Sequence, residues 1–476
     1  MRFSWRVLLI STTIVILLPG CKSVFAEAKA ADLDIIVTAA PIYRPLAALR
    51  GEERFPEGAQ LLRLHGGKTL PLVQGFSASA DANVSFDGKT VLFAGKHVAG
   101  DPWQVWELSI QSGSLRRLIG SANDSVRPFY LPAGQLVYAS HTSTGYQLVV
   151  AGKAASPMLA PIDADAGSML LPLSHFPASA IPTDVLLDGR ILFEALFPLG
   201  SGTTPELYLV YTDGSGVESY RCDHGHARWG GRQLASGDVV FTHGTSLGRF
   251  TSQQAHEVPV IAPPRSEYAG GITETASGDW LLSRRITSGA HFSLGLLKDG
   301  SAESGFASMQ SVLALEDENI VDPVLIAPRS RPHHHPTALH PWNYANLLAL
   351  DSRVSREGDL RNAPASVRLE TLDSLGHVLA NGVAPVESDG SFFVQVPADR
   401  PIRFALLNSK GAVVRQEHGW FWIRSGEQRI CTGCHAGPEH ASENHVPAVL
   451  LRTTIPVDLT STKIVSQSRS VAPGGK

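Results

Sequence analysis

Cysteine and methionine are scarce in this chain, and so is any long apolar run. The 476 residues include four cysteines and four methionines, which excludes a disulfide-stabilised scaffold. No uncharged apolar run reaches the roughly 20 residues that cross a bilayer as a helix, which excludes a multi-span membrane protein. Lys and Arg number 40 against 44 Asp and Glu, for a net charge of -4. The chain lacks the basic surplus typical of nucleic-acid-binding proteins, so nucleic acid is not an expected partner.

Glycine and proline are abundant instead. The chain has 44 glycines and 31 prolines, and 43% of its residues are hydrophobic. Frequent turns together with enough apolar residues for sizeable cores favour an all-β fold. The length suggests two or three domains.

The first 20 residues have the pattern of an export signal. Arg2 and Arg6 precede an apolar stretch, Val7–Leu18, and a Leu-Pro-Gly-Cys sequence ends at Cys21. A charged start followed by a short apolar run is typical of secretion, and the last four residues resemble a bacterial lipoprotein box. We predict removal of the signal and lipidation of Cys21. Because Lys22 rather than aspartate follows, we favour a periplasmic protein anchored to the outer membrane; the alternative is plain secretion into the periplasm.

A turn containing glycine, followed by a short apolar strand, recurs along the first two thirds of the chain. The glycines of the five plain repeats lie 41 to 55 residues apart: Gly88, Gly134, Gly189, Gly237 and Gly278. A period in the forties with several strands per unit predicts a β-propeller, and the repeats resemble those of TolB-like proteins. A sixth unit can be assembled from Asp34–Val37 and Leu61–Val73, closed by Val312–Ile326. We predict about six blades over residues 21–330; unrelated hairpins in a sandwich are the alternative.

A second, smaller unit is expected after the propeller. Residues 331–341, rich in Pro, Arg and His, are predicted to form a linker. Beyond them, Ser366–Leu372, Ser391–Val396 and Ile402–Leu407 have the pattern of strands, which predicts a small antiparallel β-sandwich-like domain over residues 342–459. The last 17 residues, 460–476, are predicted to be a flexible tail.

This second unit ends in a haem-attachment motif. Cys431, Cys434 and His435 form a C-x-x-C-H sequence, the signal for covalent c-type haem. The two thiols add to the vinyl groups of the porphyrin, and His435 is the expected proximal iron ligand. The export signal agrees, since haem c is attached outside the cytoplasmic membrane. The alternatives are a disulfide, a redox cysteine pair, or a zinc site completed by His440 and His445. We predict one covalent haem c, with zinc as the alternative metal.

The sixth iron ligand is left open by the sequence. No methionine follows Met309, so a downstream methionine is excluded. The nearby candidates are His440, His445 and His418, each of which has an exposed loop histidine as its alternative. The rings of residues 420–422 either wall the porphyrin or belong to the protein core.

Four segments resemble the middle-domain family of the hydrazine synthase alpha subunit. They are Asn346–Arg353, Pro385–Val396, Pro397–Leu407 and Gly419–His435. The resemblance implies a catalytic haem, zinc bound by the motif histidine and a propeller cysteine, and a tyrosine iron ligand four residues after that histidine. Glu439 stands at that position and the last tyrosine is Tyr344, so the tyrosine ligand is missing. The family's enzyme also carries a second c-type haem, whereas this chain has one motif, and hydrazine synthesis is not transferred.

The propeller cysteine required by this resemblance is Cys222. His224 and His226 follow it closely, and the cluster has metal-ligand character of its own. The resemblance implies that this loop approaches the haem and contributes a ligand. A loop with an ordinary cysteine is the alternative.

Three functions fit the sequence. The favoured one is an exported c-type haem protein that transfers electrons, or bears the haem of a redox complex, and meets a redox partner protein. The second is an oxidoreductase whose open iron position takes a small nitrogen or oxygen species. The third is a propeller-based binding module with a structural haem. Propellers serve all three classes, so the fold alone does not decide among them.

Overall fold

The structure is a computed structural model. It describes residues 33–152, 169–199, 202–221, 224–251, 257–260, 265–298, 309–354, 360, 364–373, 375–433 and 445–461. The predicted signal with Cys21 lies outside these ranges, as does the tail beyond residue 461. No helix within these ranges is long and apolar enough to cross a membrane.

The first part of the described chain contains 24 strands. Those of its first half are β1 (Ile35–Ala40), β2 (Gln60–His65), β3 (Lys68–Pro71), β4 (Ala78–Val84), β5 (Thr90–Lys96), β6 (Gln104–Ser109), β7 (Leu115–Ile119), β8 (Ser125–Tyr130), β9 (Leu136–Thr142), β10 (Gly145–Gly152), β11 (Met169–Pro172) and β12 (Ala180–Val185). Those of its second half are β13 (Ile191–Leu199), β14 (Gly202–Val210), β15 (Glu218–Ser219), β16 (Arg228–Gln233), β17 (Val239–His243), β18 (Ser246–Phe250), β19 (Glu257–Pro259), β20 (Glu267–Glu274), β21 (Trp280–Arg285), β22 (Ser293–Leu297), β23 (Met309–Leu313) and β24 (Asn319–Leu325). A short 3₁₀ helix, Ala48–Arg50, lies between β1 and β2.

These strands form six four-stranded antiparallel sheets, the blades of a propeller. Five blades are built from consecutive strands, and their first strands, β4, β8, β12, β16 and β20, lie innermost and contact one another around the ring. The remaining blade has the order β24-β1-β2-β3, so the last strand completes the first blade. The predicted all-β propeller of about six blades is confirmed, and so is the sixth blade closed by the segment before residue 326.

The glycine repeat marks the turn that leaves each inner strand. All five repeat glycines have positive φ angles, between 74° and 89°. Each lies between the first and second strands of its blade, where a tight turn needs a left-handed residue that glycine adopts without a steric penalty. The apolar segments that follow these glycines are the second strands, and they are fully buried, as Val91, Val137 and Ile191 show.

A buried charge cluster joins the inner strands of two blades. The Arg54 guanidinium pairs with Asp81 Oδ1 at 2.5 Å and with Asp322 Oδ2 at 2.6 Å. Asp81 and Asp322 lie at bulges in β4 and β24, with φ angles of 60° and 53°. Burial favours the neutral form of Asp322, but Arg54 and Arg127 outweigh it and hold the pKa of this carboxyl well below its usual range.

The chain leaves the propeller along its surface. Residues 326–343 contain no strand or helix, and they include the predicted linker. They are nevertheless attached to the blades by backbone hydrogen bonds, from Arg329 N to Phe86 O and from His333 N to Leu187 O, both 2.9 Å. The guanidinium of Arg329 also lies 4.4 Å from the ring centroid of Phe86.

Eight strands and one short helix follow in the described residues. They are β25 (Tyr344–Ala349), β26 (Ser366–Leu372), β27 (Val378–Pro385), β28 (Phe392–Pro397), β29 (Ile402–Leu407), β30 (Val413–Gln416), β31 (Gln428–Cys431), α1 (Ala448–Arg452) and β32 (Val457–Asp458). The strands form two sheets, ordered β31-β25-β28-β32 and β27-β26-β29-β30. Apolar side chains from both sheets, such as Leu347, Val394, Leu369 and Phe404, form one core between them.

This unit is the predicted sandwich, with one difference in strand direction. The outer strands β31 and β32 pair in parallel with β25 and β28, whereas the expectation was an antiparallel unit. The chain enters the second sheet before it returns to each partner, and such a crossover lets a strand re-enter in the same direction.

Candidate haem-attachment site

Cys431 is the last residue of β31, an outer strand of the sandwich. It lies level with Ala349, and its carbonyl oxygen accepts a hydrogen bond of 2.8 Å from Leu350 N. Its half-buried thiol packs against the edge of the sandwich core and lies 3.3 Å from Gly433 O. Cys434 and His435, the other two members of the motif, lie outside the described residues.

Gly433 holds the start of the attachment segment close to the sandwich. Its φ angle is 155°, and a Cβ built at this position would lie 2.6 Å from Asp351 O. A side chain here would require the backbone at residue 351 to move. The close approach fixes the chain between the two cysteines against the end of β25.

His445 lies at the same end of the sheet as Cys431. Its Nε2 is 3.4 Å from Asp389 Oδ2, in the turn that precedes β28. The same carboxylate accepts a hydrogen bond of 2.6 Å from Ala448 N, in the first turn of α1. Burial would raise the pKa of Asp389, but the hydrogen bonds from Ala448, Ser391 and His445 lower it to about 2.

His418 lies on the side that faces the propeller. It is exposed, and the next residue, Gly419, packs so closely that its Cβ would be 2.9 Å from a ring carbon of Phe197. Phe197 stacks on the His224 ring with centroids 4.1 Å apart. His224 Nδ1 in turn lies 2.5 Å from the buried Glu206 carboxylate. The structure thus places Gly419, the residue after His418, against the ring that stacks on His224.

The remaining candidate metal ligands are His226, Cys222 and His440. His226 is exposed and its ring lies 5.7 Å from that of His243. Cys222 and His440 lie outside the described residues. Within the part of the chain that is described, no group of three His, Cys, Asp or Glu side chains is arranged to hold a metal ion.

The three aromatic rings before the motif have separate roles. Trp422 is fully buried in the core shared by blades 3 and 4, the β8–β11 and β12–β15 sheets, and its Nε1 donates to Gly214 O at 3.0 Å. Trp420 lies under Arg403, 4.6 Å from the guanidinium. Phe421 packs against both the propeller core and the sandwich core. Of the two uses weighed for these rings, Trp422 serves the core.

Polar contacts follow Trp422 at the junction of the two units. Arg424 donates from Nε to Asp213 O at 3.1 Å and from Nη1 to Asp399 Oδ1 at 2.8 Å. His175, from the propeller, lies 3.4 Å from the same Arg424 Nη1. Burial lowers the pKa of His175 to about 4; Arg424 adds to this effect and Asp399 opposes it.

Glu427 completes this junction. Its carboxylate accepts hydrogen bonds from Arg424 N at 2.8 Å and from Gly216 N of the propeller at 3.2 Å. The turn at residues 424–427 reverses the chain, so Arg429 on β31 lies beside Trp422 and Phe421. Sequence reasoning missed Glu427, Arg429 and His175. Glu427 and Arg429 lie a few residues before the motif, and their charges could have indicated a polar junction. No feature of the sequence around His175 indicates a role for that residue.

Comparison with known proteins gives a specific relationship. Residues 362–436 match the family model of the hydrazine synthase alpha subunit middle domain. Hydrazine synthase subunit alpha of Kuenenia stuttgartiensis is 31% identical over 83 residues, which are 17% of this chain and 10% of that protein. This chain is similar to the hydrazine synthase alpha subunit. The predicted resemblance is confirmed, over a segment that spans a tenth of that relative.

The fold agrees over a much longer part. A solved structure of Kuenenia stuttgartiensis hydrazine synthase superposes on 88% of this chain and 71% of that chain, with a TM-score of 0.74 and 17% identity. The propeller and the sandwich are thus found together in the hydrazine synthase fold. TolB from Acinetobacter baumannii also matches, with a TM-score of 0.42, 12% identity, and coverage of 61% of this chain and 66% of that chain.

Proposed function

We propose that this protein is a c-type haem redox protein with one haem bound covalently at Cys431 and Cys434 and by His435. The observation that carries the proposal is that the match to the hydrazine synthase alpha middle domain, residues 362–436, ends on the C-x-x-C-H motif. The match supports the interpretation of the motif as part of a related domain rather than as a chance spacing of cysteines.

The described residues fit such a group. Cys431 places a half-buried thiol at the end of an outer strand, which has no further strand beside it among the described residues. Gly433 fixes the backbone between the two thiols against Asp351. Covalent haem c requires two thiols that attach to the porphyrin and an adjacent imidazole that binds the iron. When bound, the group supplies one-electron chemistry, and the protein tunes it through ligands, hydrogen bonds and burial.

The favoured role is electron transfer, or bearing the haem of a redox complex with a partner protein. This role calls for a second strong axial ligand, and His445 is the candidate at the same end of the sheet as Cys431. Asp389 orients its ring through the 3.4 Å contact to Nε2. His418 is the second candidate in the described residues, and His440 is a third candidate from the sequence.

An oxidoreductase with an open iron position is the second candidate. It is favoured by the similarity to a subunit of hydrazine synthase, and the substrate would be a small nitrogen or oxygen species. His224 would then serve as a proton donor or acceptor, since its Nδ1 contacts the Glu206 carboxylate.

The test is the spectrum of the mature chain expressed with cytochrome c maturation proteins. We expect one haem per chain by the pyridine haemochrome assay, lost in Cys431→Ala and retained in Cys222→Ala, a matched cysteine control. A low-spin ferric EPR signal identifies two strong ligands and electron transfer. A high-spin signal identifies an open site and favours the oxidoreductase. Absence of covalent haem from the parent protein refutes the proposal.

We further propose that the protein is exported and held at the periplasmic face of the outer membrane through lipid on Cys21. The basis is the Leu-Pro-Gly-Cys sequence that ends the predicted signal. Labelling with a radioactive fatty acid should mark the parent and not Cys21→Ala. Equal labelling of the two would exclude this anchor.

A further inference from the structure

Arg429 has a buried donor group that the described protein does not use. Its Nε donates to Glu427 Oε1 at 3.0 Å, and its Nη1 is 3.4 Å from Trp422 O. Its Nη2 is buried and has no hydrogen-bond partner among the described residues. Only 15% of this side chain is exposed. A buried unsatisfied donor costs free energy, and an absent ion or ligand is one of its recognised explanations.

Glu427 alone does not satisfy all the hydrogen-bond donors of Arg429. Its two carboxylate oxygens also accept the backbone N–H group of Arg424, in the same turn, and that of Gly216, which joins the sandwich to the propeller. Glu427 is thus engaged at the junction, and Arg429 keeps donor capacity in excess of it. The planar guanidinium is suited to bind a further carboxylate in a bidentate manner.

Arg429 and Cys431 point to the same side of β31. The strand alternates between exposed and half-buried residues, with Arg429 and Cys431 half-buried and Ile430 exposed. Side chains two residues apart on a strand share a face and lie about 7 Å apart along it. Phe421 borders the same face, with its ring centroid 5.9 Å from the guanidinium carbon of Arg429.

We propose that Arg429 binds a propionate of the haem attached at Cys431, with Phe421 beside the macrocycle. This inference rests on the proposed function. It follows from two features: the buried Nη2 donor, which has no acceptor among the described residues, and the face of β31 that Arg429 shares with Cys431. Arg429 is a positioning residue. Its fixed positive charge disfavours the ferric form and therefore raises the midpoint potential.

The test compares Arg429→Gln, Arg429→Lys and Arg403→Gln. Arg403 is the matched control, because it also pairs with a glutamate, Glu370 at 2.7 Å, and packs on an aromatic ring, Trp420 at 4.6 Å. Haem content is measured first by pyridine haemochrome. The midpoint potential at fixed pH and the resonance Raman propionate mode are then measured on the loaded proteins.

We expect Arg429→Gln to retain covalent haem, to lower the midpoint potential and to shift the propionate mode. Arg429→Lys, which keeps the charge and loses the planar fork, should keep most of the potential and still shift the mode. Arg403→Gln should change neither. Parental values of both quantities in the loaded Arg429 variants would overturn the inference and leave the proposed function standing. A parent protein without covalent haem would overturn both.

Discussion

The indole of Trp422 donates a hydrogen bond to the carbonyl oxygen of Gly214, 208 residues earlier, across the junction of the propeller and the sandwich. The ring itself lies in the core of blades 3 and 4, among side chains such as Phe176, Phe193 and Tyr208. A residue of the second unit thus fills the core of the first. The propeller is not complete without the chain that follows it.

Trp422→Ala should therefore destabilise the whole protein. Removing a fully buried large side chain costs about 3–5 kcal/mol of unfolding free energy, and this indole also loses its hydrogen bond. The measurement is urea unfolding of the full chain. Trp420→Ala is the control, since Trp420 is only half-buried. Equal losses in the two variants would show that Trp422 has no special structural role.

Arg54→Met should destabilise the propeller. The substitution leaves Asp81 and Asp322 buried without their shared cation, and breaking a buried ion pair on one side costs about 3–5 kcal/mol. Thermal unfolding measures the change. Arg116→Met, at an arginine that is 70% exposed and paired with Glu107, should cost less than about 0.5 kcal/mol.

Asp322→Asn added to Arg54→Met should recover part of the loss, because it removes one of the two buried carboxylates that lose Arg54. The buried cation Arg127 then remains beside Asp81 and residue 322. A double variant less stable than Arg54→Met would contradict the charge explanation.

Stability should depend on pH through His175. Folding lowers the pKa of this ring from 6.5 to about 4, mainly by burial. Between these values the unfolded chain binds more protons than the folded one, so the free energy of unfolding falls as the pH is lowered from about 6.5 towards 4. Above this window the residue makes no pH-dependent contribution.

His175→Gln should flatten this part of the pH profile, measured by urea unfolding at steps between pH 7.5 and 4.5. His65→Gln is the control, at a side chain that is 67% exposed. Profiles of parental slope in His175→Gln would show that another group causes the dependence.

Gly433→Ala should reduce covalent haem attachment. The new Cβ would lie 2.6 Å from Asp351 O and push the segment between the cysteines away from the sandwich. The measurement is haem per protein by pyridine haemochrome. Gly411→Ala, at another positive-φ glycine with no atom within 4 Å of its Cβ, separates this clash from backbone strain. Full haem content in Gly433→Ala would show that the close approach is not needed.

Much of the fold could be predicted because its signals are local. Turn glycines such as Gly88 and Gly237 repeat along the chain and mark blade after blade. The closing strand could be predicted because five complete units left one blade to assemble. The parallel pairing of β31 with β25 could not, since strand direction in an edge pair depends on how the whole chain returns to the sheet.

The candidate site could be predicted only in part, because some of its contacts join residues that are distant in the sequence. The C-x-x-C-H motif is contiguous, so the sequence alone identifies it. Trp422 could equally have been a haem wall or core, because its partners in blades 3 and 4, from Phe129 to Val217, lie far earlier in the sequence. The contact of His175 with Asp399 and Arg424 likewise joins distant segments. Such contacts leave no trace in spacing or composition.

The pairing of Ile35 with Leu325, at which β24 completes the first blade, has a consequence for how the chain folds. Until β24 arrives, β1 has an open edge lined by residues that end fully buried, including Ile35, Ile36 and Val37. The entropic cost of closing so long a loop grows slowly, by about 0.6 kcal/mol for each doubling of length. Non-local pairing is nevertheless slow. Nascent or truncated chains that stop short of residue 319 should thus be the most aggregation-prone forms of this protein, because their unpaired edge can recruit another chain.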